Sequence, residues 1–129
     1  MPVKYLSPEW IDAYNAAMAA DDAVHKALKG KSAVIQMVVA DAPAGGEIRY
    51  SLRIGDGTAA VSLGDADDAD VTIRQSYETS AQVNRGELDG AKAFTQGKVK
   101  ITGKMMKMMQ LQRPLAEVQK ALNTIDTEY

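Results

Sequence analysis

The side chains best suited to contact a ligand are concentrated in residues 94–112, where a methionine-rich segment follows a glycine. Met105, Met106, Met108 and Met109 make up four of the seven methionines in the chain. Their spacing covers a broad face of a helix, and methionine fills apolar space that has to accept different shapes. The chemistry this favours is non-covalent contact with an apolar ligand. A core helix is the alternative, and periodicity alone favours it.

Basic side chains surround this segment. The stretch from Gly90 to Ala116 contains six bases and no acid, although the formal net charge of the whole chain is −2. The bases are Lys92, Lys98, Lys100, Lys104, Lys107 and Arg113. Such a segment beside an apolar helix is suited to an anionic membrane or an anionic ligand head group, and an ordinary solvated face is the alternative. Nucleic acid is a poor fit, because the chain is acidic overall and has few aromatic side chains to stack on bases.

Catalytic and metal-binding patterns are missing from the sequence. There is no cysteine, which excludes disulfides, cysteine zinc sites and thiol nucleophiles. The single histidine, His25, is more typical of a helix surface than of a base or a ligand. Residues 64–70 contain four aspartates, but the sixth and twelfth positions of an EF-hand would hold Asp70 and Ser76 instead of glycine and glutamate. We therefore expect a solvated turn there, and a protein that is not an enzyme and has no cofactor.

Alternation of polar and apolar residues predicts five strands. They span residues 32–40, 47–54, 58–63, 71–75 and 98–102. Gly55-Asp56-Gly57 predicts a hairpin turn between the second and third strands. Four consecutive strands joined by short connections favour an antiparallel sheet, and helices grouped before and after it favour an α+β layer with the helices on one face.

Capping signals predict the helices. Ser7 and Asp21 suit the N-caps of two helices at the start of the chain, and Ser76 suits the N-cap of a third. A short fourth helix follows, which would place Phe94 against the core. The methionine helix should break near Arg113, since an interior proline is costly, and a final helix should begin with Pro114 in its first turn.

Composition is that of one soluble globular domain over residues 1–129, with 46% hydrophobic and 25% charged residues. The first residues lack the continuous apolar region of a signal peptide. No apolar run approaches the roughly 20 residues of a membrane-spanning helix. A cytoplasmic location is therefore the expectation.

A more specific pattern lies in residues 70–112. It consists of Asp-Val-Thr-Ile at 70–73, Gly-Glu-Leu at 86–88, Ala-Phe-Thr-Gln-Gly-Lys-Val-Lys-Ile-Thr-Gly at 93–103 and Gln-Leu-Gln at 110–112. These segments closely resemble the sterol carrier protein type 2, or nonspecific lipid-transfer, domain family, here in a free-standing bacterial form. The resemblance implies a five-stranded, mostly antiparallel sheet covered by helices on one face. It also implies an apolar tunnel between them that takes fatty acids, acyl-CoA esters, sterols or phospholipids.

The resemblance carries expectations for individual residues. The predicted tunnel lining is Ile73, Tyr77, Phe94, Val99, Ile101, Met105, Met106, Met108, Met109 and Gln112. Common members have small residues at one or both of the positions of Met106 and Met108, so larger side chains here would narrow the tunnel. The lysines expected at a transient anionic membrane contact are Lys98, Lys100, Lys104 and Lys107.

Two functions are compatible with the sequence. The first is an intracellular carrier that binds a fatty acid, an acyl-CoA or a sterol without a catalytic step. The second is a non-catalytic interaction module with a closed cavity, whose exposed methionines would bind a partner protein or a second copy in a homodimer.

Overall fold

The fold is built on a five-stranded sheet. The computed structural model describes residues 2–129, apart from the side chain of Ala91. In chain order the strands are β1 (Val3–Lys4), β2 (Ala33–Ala40), β3 (Ile48–Gly55), β4 (Thr58–Leu63), β5 (Val71–Ser76), β6 (Val99–Gly103) and β7 (Thr127–Glu128). The helices are α1 (Pro8–Ala19), α2 (Asp22–Leu28), α3 (Tyr77–Asn84), α4 (Gly90–Thr95), α5 (Met105–Gln110) and α6 (Gln112–Leu122). Each of the five predicted strands is present, with its ends shifted by one residue at most.

The strand order in the main sheet is β4-β3-β2-β5-β6. Strands β2 and β5 are parallel, and the other neighbouring pairs are antiparallel. The mostly antiparallel α+β architecture is therefore confirmed. Asp56 and Gly57 form the two-residue turn between β3 and β4, and both have positive φ, as the type I′ turn of a tight hairpin requires.

The parallel pair requires the chain to cross the sheet after β4. Strand β4 lies at one edge, whereas β5 lies beyond β2, so residues 64–70 have to pass over β3 and β2. They do so on the face opposite the helices, where they form hydrogen bonds with the buried side chain of Gln36. Its Nε2 donates to the Gly64 carbonyl at 3.3 Å, and its Oε1 accepts from the Ala66 amide at 2.7 Å. The predicted acidic turn is thus a crossing segment that is bound to the sheet.

The predicted caps are observed. The Ser7 hydroxyl accepts from the Trp10 amide, the Asp21 carboxylate accepts from the Ala23 amide, and the Ser76 hydroxyl accepts from the Thr79 amide. Each side chain satisfies an amide that the first helical turn leaves without a partner. The break between the last two helices falls at Leu111, slightly before the predicted position.

An aromatic cluster fills the interior between the helices and β3. The Tyr5 ring lies 5.0 Å from the Trp10 ring, and the Trp10 ring lies 5.2 Å from Tyr14 and 6.0 Å from Tyr50. Tyr129 reaches the same cluster from the other end of the chain, 4.9 Å from Tyr5. The parallel pairing of β1 with β7 brings these two ends together. Sequence periodicity did not predict this pairing, because each strand has only two residues.

Candidate functional site

The helix-facing side of the sheet is covered unevenly. On β2, β3 and β4 the residues Ile35, Leu52 and Val61 are buried in the core. On β5 and β6 the paired residues Ile73 and Ile101 face the same side, yet both are only half-buried. The long helix α1 packs against β4, at the opposite edge of the sheet. The β5–β6 end therefore keeps accessible apolar surface on its inner face.

Helix α5 adds exposed methionines to this end of the molecule. Met106 is 72% exposed, Met109 65% and Met105 41%, whereas Met108 is half-buried. We call Met105, Met106 and Met109 the methionine face. A core helix would bury these side chains, so the simple core interpretation of the methionine run is wrong for three of the four residues. Exposed apolar clusters of this kind commonly mark a binding surface.

The start of α5 is anchored to the start of β5 through Asp70. The Lys104 amide donates to the Asp70 carbonyl at 2.9 Å, and the Lys104 Nζ lies 3.1 Å from the Asp70 carboxylate. The Lys107 Nζ lies 3.6 Å from the same carboxylate. The hydrogen bond from the Val34 amide, at 2.9 Å, is the largest effect that holds the pKa of Asp70 below its usual value, and the two lysines add to it. Asp70 therefore ties the methionine face to the sheet.

Gly103 permits the close approach that this anchor needs. Its φ is 107°, and a Cβ added there would lie 2.4 Å from the Asp70 carbonyl oxygen and 3.1 Å from the Val71 Cα. An L-residue is strained at this φ, and the contact with backbone atoms leaves little freedom to relax. Glycine at this position thus sets the direction in which α5 leaves the sheet.

The other predicted lining residues are distributed differently. Val99 is buried at the start of β6, and Tyr77 is half-buried with its ring 5.6 Å from Tyr5. Gln112 is exposed at the first position of α6. The expectation that Phe94 packs against the core is wrong, since its side chain is 44% exposed. The neighbouring Ala93 is fully buried instead, because the short helix α4 turns that side towards the protein.

The predicted membrane-contacting lysines fall into two groups. Lys104 and Lys107 pair with Asp70, as described above. Lys98 and Lys100 are exposed, and within residues 2–129 no carboxylate forms an ion pair with either. Lys100 is opposite Arg74 on the outer face of the sheet, away from the helices. Two cations are therefore available to an external anion without losing an internal partner.

Two concavities, each of about 520 Å³, lie elsewhere on the surface. One lies between α2 and the α5–α6 junction, and the other lies beside the turn at Gly55–Gly57. Neither is lined by any of the ten predicted tunnel residues. The aromatic cluster fills the interior on the β3 side, so the accessible apolar surface lies at the β5–β6 end and on α5.

The outer face of the sheet is an electrostatic surface that sequence reasoning missed. Arg53 makes two hydrogen bonds of 2.9 Å with Asp68, and Arg49 lies 3.3 Å from Asp65. Alternation along β3 places both arginines on this face, but the path of residues 64–70 decides which aspartates they meet. Among residues 2–129, no group of three histidine or acidic side chains is arranged to hold a metal ion.

Comparison with known proteins identifies the fold. The sequence profile of the SCP-2 sterol transfer family matches residues 12–116. A crystal structure of sterol carrier protein 2 superposes with a TM-score of 0.81 at 19% identity, covering 95% of this chain and 99% of the other. A conserved hypothetical protein of Thermus thermophilus, described as possibly a sterol carrier protein, gives 0.80 at 20% identity, with 98% and 92% covered.

A third similar structure is that of a protein described as palmitated. A palmitated SCP2L2 from Aedes aegypti superposes with a TM-score of 0.60 at 19% identity, covering 95% of this chain and 99% of the other. No curated protein sequence matches the chain closely enough to count as a relative. Across residues 2–129, no helix is both long and apolar enough to cross a membrane.

Proposed function

We propose that this chain, which belongs to the SCP-2 sterol transfer family, is a single-domain cytoplasmic carrier that binds one apolar lipid without a catalytic step. The family and the fold support lipid binding or transfer in general. The finer proposal is that the ligand is a fatty acid, an acyl-CoA or a sterol, held between the sheet and the helices at the β5–β6 end. The palmitated form of the Aedes aegypti protein makes a fatty acid the first ligand to test.

The observation that carries this proposal is the uneven cover of the sheet. Ile73 and Ile101 face the helix side but stay half-buried, and the methionine face lies on the helix attached to the same strands. Burial of apolar surface stabilises a complex by about 25 cal/mol per Å² before the costs of association. Flexible thioethers can adapt to chains or rings of different shape. A ligand seated there would cover surface that the protein leaves accessible.

The remaining predicted residues would contribute in different ways. Val99 and Tyr77 would form the deep part of the site, since both are largely withdrawn from solvent. Phe94, Met108 and Gln112 would lie nearer to its entrance. This assignment requires α4 or α5 to shift when the ligand enters, because neither concavity includes these side chains.

Substitution of Met108 and Met109 by aspartate tests the proposal. Two carboxylates on α5, one at the half-buried position 108 and one at the exposed position 109, would have to lose water when a ligand covers them, which is strongly unfavourable. We expect the double variant to lose uptake of palmitate, measured by native mass spectrometry and by displacement of a fluorescent fatty acid. The matched control carries Ala16→Asp and Ala19→Asp on the exposed side of α1. Normal uptake by a folded Met108→Asp/Met109→Asp variant would refute the assignment of α5.

A specific observation favours a second candidate, a homodimerisation or protein-interaction module. The aromatic cluster already fills part of the interior, and Met106 and Met109 are exposed as the anchors of an interface often are before assembly. Analytical ultracentrifugation separates the two functions. If the chain is dimeric without lipid, Met106→Ser makes it monomeric, and no lipid co-purifies, the interaction module replaces the carrier.

Transient contact with an anionic membrane would allow a carrier to collect its ligand. The proposed contact uses Lys98, Lys100, Lys104 and Lys107, of which the first two have no acidic partner in the described residues. Each lysine near an anionic surface contributes about 1 kcal/mol. We expect co-flotation with vesicles containing phosphatidylserine at low salt. Equal flotation with neutral phosphatidylcholine vesicles would count against this contact.

A further inference from the structure

The concavity between α2 and the α5–α6 junction has a lining of two kinds. Its apolar part includes Ala23 and Ala27 of α2 and Pro114 of α6. Its charged part includes three cations, Lys26, Lys31 and Arg113, which come from three separate segments of the chain. The volume of about 520 Å³ is within the range of small-ligand sites. An apolar lining with an excess of positive charge is suited to an amphipathic anion.

The charge in this concavity is not neutralised from within. Throughout the part of the chain that the structure describes, none of these three cations forms an ion pair with a carboxylate. Glu117 also lines the concavity, but its carboxylate lies 3.2 Å from the Lys120 ammonium and is already paired. Like charges that share a concave surface raise the local potential and attract an anion. The concavity therefore lacks a counter-charge that a ligand could supply.

One residue of the methionine face lies on the same side of α5 as part of this lining. Gln110 at the end of α5 is part of the lining, and Met106 precedes it by four residues. Residues four apart lie on the same side of a helix. The Met106 side chain, which is 72% exposed, therefore lies one turn from Gln110 on the same side of α5. A cationic concavity thus lies beside an exposed apolar side chain on the same helix. This arrangement matches a molecule with an anionic head and one apolar chain.

We infer that this concavity binds the anionic head group, a carboxylate or a phosphate, of a single-chain lipid whose chain lies along α5. The inference rests on the proposed carrier function and adds to it a head-group site outside the predicted tunnel lining. Lys26, Lys31 and Arg113 bind the head by charge-assisted hydrogen bonds. The alanines and Pro114 contact the first methylenes of the chain, and Met106 contacts the next ones.

The inference is tested by comparing an acid with its uncharged ester. The probes are dansyl-undecanoic acid and its methyl ester at neutral pH and low salt. Lys26 and Arg113 are both exposed, so reversal of their charges leaves the core intact. We expect the double variant Lys26→Glu/Arg113→Glu to bind the acid about tenfold more weakly and to bind the ester as the wild type does. The control Lys4→Glu/Lys92→Glu has the same change in net charge outside the concavity.

Each outcome has a separate meaning. Unchanged binding of the acid by the double variant would overturn the head-group site and leave the carrier function standing. An equal loss of binding for the acid and for the ester would also overturn it, because the cations would then not distinguish a charged head group from an uncharged one. If wild-type protein binds neither probe, the carrier function and the head-group site both fail. Inorganic phosphate is the last probe, and displacement of the acid by phosphate at equal concentration would identify a site for free anions instead of lipid heads.

Discussion

Substitution of Gly103 by alanine would test whether the approach of α5 to β5 depends on a residue without a side chain. The substitution adds one methyl group at the point where β6 ends. That methyl carbon would lie 2.4 Å from the Asp70 carbonyl oxygen, the atom that accepts the hydrogen bond from the Lys104 amide. Backbone on both sides of the contact has to move. We therefore expect a loss of stability together with a displacement of the methionine face.

The expected magnitude has two parts. A non-glycine residue with a φ of 107° costs about 1–3 kcal/mol in backbone strain. Overpacking against fixed atoms costs about 1–3 kcal/mol more. A combined loss of about 3 kcal/mol in the free energy of unfolding would lower the Tm by roughly 10 °C in a chain of 129 residues.

The control for this experiment is Gly97→Ala, two residues before the other end of the same strand. Gly97 also has a positive φ, of 77°, but a Cβ there would meet no atom within 4 Å. An alanine there therefore has the backbone strain of a positive φ without a close contact to other atoms. We expect it to lower the free energy of unfolding by about 1 kcal/mol. Urea denaturation followed by the fluorescence of the buried Trp10 gives both values. A loss for Gly103→Ala no larger than that for Gly97→Ala would refute the close contact at Asp70.

Two further predictions concern the segment that crosses the sheet. Because Val34 and Lys104 hold the pKa of Asp70 below its usual value, its stabilising effect is present above roughly pH 4 and is lost as the pH falls through that lower pKa. Asp70→Asn should flatten this acid-side loss in urea midpoints measured across a pH series, and an unchanged slope would contradict it. Gln36→Leu leaves the Ala66 amide without its acceptor and should lower the free energy of unfolding by about 2 kcal/mol. A loss below about 0.5 kcal/mol would mean that water replaces the side chain.

Local signals were sufficient to predict most of the fold. Ser7, Asp21 and Ser76 act as N-caps because each offers a short side-chain oxygen to amides only two or three residues away. Such contacts do not depend on the rest of the structure. The Asp56-Gly57 turn was predictable for the same reason. The strand order was not predicted, because the resemblance to the lipid-transfer family implied only a five-stranded, mostly antiparallel sheet, and the parallel pairing of β2 with β5 is known from the structure alone.

Features that depend on the path of the chain were not predictable from periodicity. Exposure of Phe94 depends on which side of α4 faces the sheet, and a helix of one and a half turns gives a weak periodic signal. The pairing of Arg53 with Asp68 depends on the crossing over the outer face. The sequence also did not determine whether the methionine face is exposed, because an apolar stripe has the same sequence pattern whether the protein or a ligand covers it.

The ends of the chain lie outside residues 12–116, which match the family profile, and their packing bears on the route by which the proposed ligand would enter. Tyr5 and Trp10 from one end and Tyr129 from the other pack together, and the β1–β7 pairing holds them in place. Trp10 is fully buried, so a ligand on the β3 side would have to displace the largest side chain in the core. A ligand on the β5–β6 side would instead have to displace a short helix, either α4 or α5, and α5 is held there by its anchor at Asp70. For the proposed ligand, entry beside α5 would therefore be the less costly route, and we expect changes at that anchor to alter lipid uptake more than changes in the aromatic cluster.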